Sequence, residues 1–210
     1  MIEYFYGKYA FLANDYECEE FFSYEDNKWL TASAAYNAMK YVGDNKKQIR
    51  NIFSKLSVIE TTILINSMKH TDINELSDDV KLQIMESILR AKFSIKSLKH
   101  KLIQTNGEQI IYKNDICDNF WGQCECEKCQ RENVQGENHL GKLLERIRKS
   151  VSITAALTND MPEPPIDEVI QNALDKKMKQ EQKHLFDQYF IINKTISDMS
   201  DEIDSLENLV

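Results

Sequence analysis

The segment WLTASAAYNAMK, residues 29–40, sets Ser33, Tyr36, Asn37 and Lys40 at i, i+3, i+4 and i+7. On a helix these four share one face. A hydroxyl, a phenol, an amide and an ammonium side by side can line a ligand site, although a solvated helix face has the same spacing. A second group is DNFWG, Asp118 to Gly122. Trp121 beside a glycine offers a flat apolar plate where backbone can be approached closely, and a nucleobase stacks well on such a plate; a core tryptophan is the ordinary alternative. The third group follows at once. Cys124, Cys126 and Cys129 form C-x-C-x-x-C, with Cys117 seven residues upstream. Four thiolates satisfy tetrahedral zinc, but zinc modules usually pair two C-x-x-C knuckles, and one is present. The favoured reading is a loop without metal or other cofactor, with structural zinc as the alternative. Directly after the cysteines, GENHLGKLLERIR opens an amphipathic helix with G-x-N-x-L-G, a pattern that hints at a nucleotide.

The elements that must position these groups read as mixed. EYFYGKYAFL and CEEFFSYEDNKWL are aromatic-rich and suit short strands. TASAAYNAMKYV suits a helix capped by Thr31. Residues 46–70 and 78–104 read as two longer helices. In the second, Val80, Ile84, Ile88, Ala91 and Ile95 recur at helical spacing behind Ser77 and two aspartates. EQIIYK, 108–113, is β-prone, and a last helix runs from Gly141 to Lys149. All three prolines fall in MPEPPID, which marks 151–165 as a linker between a domain at 1–150 and a helical tail at 166–210.

The chain has 210 residues, 42% apolar and 29% charged, which fits a globular protein. No apolar run approaches the ~20 residues of a membrane span. The N-terminus lacks a signal-peptide pattern, and five cysteines, three of them crowded, do not resemble a secreted disulfide framework. The expectation is a cytoplasmic protein with reduced thiols. The net charge of −8 lies mostly in the tail. Residues 151–210 hold 12 Asp/Glu and 5 Lys/Arg, which leaves 22 and 21 in the body. Neither part offers the basic face that long nucleic acid requires, whereas a small anion needs only a few placed cations or N–H groups. In the tail, Leu185, Tyr189, Ile192, Ile196, Met199, Ile203, Leu206 and Val210 follow a 4-3 spacing. The expected use of that stripe is a homo-oligomer contact, the alternative a fold back onto the body.

Four blocks, taken in order, resemble the NADAR family of NAD- and ADP-ribose-associated domains. FLAND at 11–15 is similar to Phe-Leu-Ser-Asn-Phe, and WLTASAAYNAMK to aromatic-x-Thr-x-Glu-x-x-aromatic-Gln-Ala-x-Lys. ILRAKF at 88–93 carries Ala-Lys-Phe. DNFWG with GENHLGKLLERIR is similar to Asp-x-x-Trp-Gly followed by Gly-x-Asn-x-Leu-Gly. The resemblance covers about residues 4–149. It implies an α+β fold: a compact helix-dominated domain with a few short strands, to which this chain adds its helical tail. It also implies a cleft for ribosylated or ADP-ribosylated heterocycles, and N-glycosidase activity in the active members. By position, Asn14, Trp29, Ser33, Tyr36, Asn37, Lys40, Asp118, Trp121, Gly122 and Asn138 would line or brace that cleft; Asn138 and Arg148 could equally be structural. The cysteines fall where family members differ in loop length.

The family carries a glutamate where this chain has Ser33, and a further one where it has Tyr112. Cleavage of an N-glycoside passes through an oxocarbenium-like state that calls for a carboxylate, and a neutral serine is a poor replacement. The resemblance therefore implies a degenerate site that sequesters or senses an ADP-ribose-type nucleotide with little or no hydrolysis. The alternative is an active N-glycosidase, hydrolysing the ribose–nitrogen bond, that uses Asp118 or an acid from elsewhere in the chain.

Overall fold

The computed structural model describes residues 1–41, 44–68 and 75–162. The expected tail helices and their oligomer contact lie outside the described residues. The body comprises Met1–Phe5 and Tyr9–Pro165. It is an α+β domain in which helices dominate and strands are short.

The first half of the sequence builds a hairpin and the helix that follows it. Strands β1 (Phe22–Tyr24) and β2 (Asn27–Trp29) pair antiparallel, with Phe22 opposite Trp29. The turn places Glu25 and Asp26 at φ 49 and 60, the left-handed pair that a two-residue hairpin needs to match strand twist. Asn27 Nδ2 steadies it by donating to the Glu25 carbonyl at 2.8 Å. Helix α1 (Ala32–Lys40) starts at Thr31, whose hydroxyl accepts from the Ala34 N–H at 3.1 Å. Its inner face is Ala32, Ala34, Ala35 and Ala38, all buried. Small side chains let the neighbouring backbone approach closely, which leaves the polar positions of the helix on the other side.

Two expectations about the helices need correction. The 46–70 region divides into α2 (Lys46–Phe53) and α3 (Val58–Ser67). Ser57 and Glu60 form a capping box there, with Glu60 reaching the Ser57 N–H at 2.8 Å, so a new helix begins where one long helix was expected. The 78–104 region divides likewise into α4 (Asp78–Lys92) and α5 (Lys96–Gln104). Ser94 Oγ takes the Ala91 carbonyl at 2.7 Å, a side-chain bond that competes with the helical ladder. The buried stripe of α4 is Met85, Ile88, Leu89 and Lys92; Val80 is exposed and Ile84 half-buried.

The N-terminal aromatic segment is not a strand: Gly7–Leu12 is a 3-10 helix. Before it, Ile2 bridges in parallel to Ile110, and the Glu3 carbonyl accepts the Lys113 N–H at 3.0 Å. The β-prone 108–113 region yields β3 (Lys113–Asn114), parallel to β4 (Gln123–Cys124). Helix α6 (Glu127–Arg131) follows, then α7 (His139–Leu157). Residues 151–157 thus extend the last helix instead of opening a linker. Ala155 is buried, and Asp160 beyond it pairs with Lys99 and His100 on α5. Helices α1, α4, α5 and α7 with β1 enclose the core, into which α7 sends Leu140, Leu143, Leu144 and Ile147. No helix among the described residues is long and apolar enough to cross a membrane.

Candidate active site

The polar face of α1 meets the 118–121 turn. The Tyr36 ring stands edge-on to Trp121, centroids 5.6 Å apart at 90°. Lys40 Nζ lies 5.3 Å from the centre of the Tyr36 ring. Trp121 also meets Phe120 edge-on at 4.8 Å, and Lys81 of α4 sits 5.0 Å over Phe120. An aromatic corner results, flanked by two lysines and by a carboxylate from the same turn as Trp121. That carboxylate is Asp118, whose Oδ1 accepts the Trp121 N–H at 2.9 Å. Asn114 grips the same turn, donating to the Asp118 carbonyl at 2.8 Å and accepting the Asp118 N–H at 3.2 Å. Asp118 is therefore held from both sides.

The electrostatics tie these groups together. Burial, then the charges of Asp118 and Asp78, push the Tyr36 phenol up to about 12. Burial, then Asp15, Asp118 and Asp115, push Tyr112 up to about 12. Both phenols stay protonated at neutral pH and are available as donors. Burial lowers Lys40, and the neighbouring Lys81 lowers it further. Two ammonium groups that repel each other favour an anion between them.

Asn14 enters through the backbone. Its carbonyl accepts the Ser33 N–H at 2.9 Å, which sets the FLAND turn beside the first turn of α1. Asn14 Oδ1 is buried without a hydrogen-bond partner among the described residues, an arrangement that costs free energy unless a donor arrives from a ligand or a water. Ser33 and Asn37 are half-buried on the same helix.

Other candidate positions turn out to hold the scaffold. Trp29 is 0% exposed, and its indole N–H is satisfied by the Tyr24 carbonyl at 2.8 Å. It has no surface left for a ligand. Asn138, at φ 52, accepts the Tyr112 N–H at 2.9 Å and donates to the Ile110 carbonyl at 2.9 Å. Its amide bridges α7 to the strand region. Arg148 likewise caps the Thr105 and Glu108 carbonyls at 2.7 and 2.8 Å. A Cβ at Gly122 would stand 2.2 Å from the Tyr112 carbonyl, and one at Gly141 would stand 2.2 Å from the Ile110 carbonyl. The close approach that these glycines allow is therefore chain on chain. The G-x-N-x-L-G pattern is a helix-to-strand clasp.

Lys92 is a site-shaping residue not singled out from the sequence. It is fully buried, donates to the Ala13 carbonyl at 2.7 Å and lies 5.5 Å over the Tyr16 ring. It anchors the turn that presents Asn14. Burial lowers its pKa to about 8, against the opposing pull of Cys18 and Asp15. The available signals were the lysine of the Ala-Lys-Phe match at 91–93 and its place four residues after Ile88 and seven after Met85, inside the apolar stripe of α4.

The four cysteines converge as well. The sulfurs of Cys117, Cys124, Cys126 and Cys129 lie within 4.8 Å of one another.

The NADAR domain pattern matches residues 4–152. The chain belongs to the NADAR family. Among curated relatives, an N-glycosidase of Nostoc punctiforme, Npun_R5314, is 27% identical over 134 residues, 64% of this chain and 81% of that protein. The N-glycosidase YbiA of Shigella flexneri serotype 5b is 23% identical over 130 residues, 61% of this chain and 74% of its own. The NMR structure of the E. coli protein YbiA shares the fold of this NADAR domain with a TM-score of 0.58 at 20% identity, over 74% of this chain and 88% of that one.

Proposed function

We propose that this NADAR domain is an N-glycosidase that hydrolyses the bond between a ribose carbon and a nitrogen of a ribosylated or ADP-ribosylated heterocycle. The observation that carries the reading is Asp118, a carboxylate fixed by the Trp121 backbone N–H at 2.9 Å, whose charge adds to burial in raising the Tyr36 and Tyr112 phenols. Such a carboxylate can stabilise the oxocarbenium-like state or take the proton of an attacking water. Tyr36 and Tyr112 supply neutral donors, Lys40 and Lys81 meet phosphate, and Trp121 carries the base or the ribose. The curated relatives named N-glycosidases support the same reading over the sequestering one that Ser33 suggested. Asp118 is a carboxylate that does not depend on position 33.

The test is incubation of the full chain with an ADP-ribosylated base, followed by chromatography of the small molecules after denaturation. Free base that accumulates with time, and falls away in Asp118→Asn, supports hydrolysis. Intact ligand recovered in stoichiometric amount would replace the proposal with a sequestering protein.

A further inference from the structure

The segment 113–138 has little with which to hold itself. Its strands are two residues each and α6 has five. Ile116 and Val134 are exposed at 67% and 42%, which leaves Phe120, Trp121 and the cysteines as its packing side chains. Small folds with little core of their own commonly carry a crosslink or a metal, and the same device can stiffen a short-stranded segment of a larger domain. The same segment carries Asp118 and Trp121, the residues of the candidate site that most need fixing.

Its sulfurs have the arrangement of a ligand shell. Zinc bound to four thiolates at ~2.3 Å sets its sulfurs ~3.8 Å apart. Here Cys117 and Cys126 stand at 3.1 Å, and no pair exceeds 4.8 Å, so the observed spacing brackets that edge. The backbone also treats the sulfurs as acceptors. Cys124 Sγ receives the N–H groups of Cys117 and Cys126 at 3.2 and 3.3 Å. Asn119 Nδ2 donates to Cys129 Sγ at 3.2 Å, while its Oδ1 accepts the Cys124 N–H at 3.1 Å. Donors aimed at sulfur orient ligating thiolates and spread their charge. Cys117 adopts φ 59, a left-handed conformation uncommon for a residue with a side chain. That turn lets its sulfur fold back towards the other three. Cys124 and Cys129 are buried, which closes the inner side of the shell.

We propose that Cys117, Cys124, Cys126 and Cys129 form a structural tetrathiolate zinc site that pins the Asp118–Trp121 turn. All four ligands are protein sulfur, so the ion has no open position for substrate and acts by holding the loop. The link to the candidate site is covalent and short: Cys117 precedes Asp118, and Asn119 bridges two of the ligating residues. The proposal does not depend on which reaction the domain performs, because metal content and loop order are measured without substrate.

The test uses the full chain, purified reduced and without chelator. Elemental analysis should find about one zinc per chain, released as the thiols are titrated with a mercurial. Cobalt taken up by the chelated protein should give the near-ultraviolet charge-transfer band of thiolate ligation. Cys124→Ser and Cys129→Ser should lose the metal. If either variant fails to fold, wild-type protein still decides the matter through limited trypsin digestion. Chelation should expose Lys128 and Arg131 to cleavage several-fold faster, and zinc but not magnesium should restore protection. Two results would overturn the proposal. One is zinc below about a tenth per chain with no cobalt uptake by reduced protein. The other is a Cys117–Cys126 disulfide, seen as a loss of two free thiols when unreduced protein is denatured.

Discussion

The helical core and the 113–138 segment hold their candidate site side chains by opposite means. Around α1, apolar burial does the work: Trp29, Phe22, Phe53 and the α1 alanines leave no exposed surface to speak of. The face carrying Ser33, Tyr36 and Lys40 is rigid because its helix cannot shift without opening the core. In the 113–138 segment, Asn114 grips the Asp118 backbone and Asp118 the Trp121 backbone N–H, while Asn119 accepts the Cys124 N–H beside the clustered sulfurs. One wall of the site is set by packing and the other by polar pins. Damage to the first should appear as lost stability, and damage to the second as lost affinity or rate.

Trp29→Ala tests the packed side most severely. Emptying a fully buried indole should cost about 4 kcal/mol in urea unfolding; a loss below about 1 kcal/mol would mean that the core does not depend on it. Lys92→Ala comes next, at about 3 kcal/mol, since it removes both side-chain volume and the bond to Ala13. Lys92 also sets a pH dependence. Its folded pKa, about 8, lies below the 10.5 of an ordinary lysine. Between those values the unfolded chain binds more protons, so stability should rise as pH increases from 8 towards 10. Lys92→Met should flatten that rise, and an identical slope in the variant would exclude Lys92 as its source.

The pinned side should answer differently. Asp118→Asn keeps an oxygen for the Trp121 N–H but loses the charge. Hydrolysis should fall about 10²-fold or more, with little change in the unfolding midpoint. Full activity in that variant would remove Asp118 from the chemistry. The smallest effect is expected from Trp121→Ala, with binding of an ADP-ribosylated base weakened about tenfold in calorimetry and helical circular dichroism unchanged. Unaltered affinity would place the ligand elsewhere.

Much of the first wall was legible in sequence. Ser33, Tyr36, Asn37 and Lys40 were assigned to one helix face by spacing, and Thr31 as its cap by residue type. Both are local properties of the chain, decided within a few residues. Lengths were less legible. Ser57 with Glu60, and Ser94, divide what periodicity alone runs together, because side-chain bonds to the backbone compete with a pattern that only counts apolar residues.

What the sequence by itself determined is therefore the set of chemical groups: the α1 face, the Asp-Trp-Gly turn, the cysteine cluster and the order of blocks that places the chain in its family. Which of those groups stay open and which are spent on the scaffold was decided by the tertiary structure. Trp29 and Trp121 are both tryptophans in motif-like settings, yet one fills the core and the other edges Tyr36. Asn14 and Asn138 are both asparagines beside turns, yet one keeps a buried carbonyl oxygen without a partner among the described residues and the other spends its amide on Ile110 and Tyr112. The difference lies in contacts between residues far apart in the chain, Asn14 against Ser33, Lys92 against Ala13, and Asn138 against Ile110. No local pattern encodes such pairings, because they exist only once the core has closed and fixed which polar atoms are already satisfied.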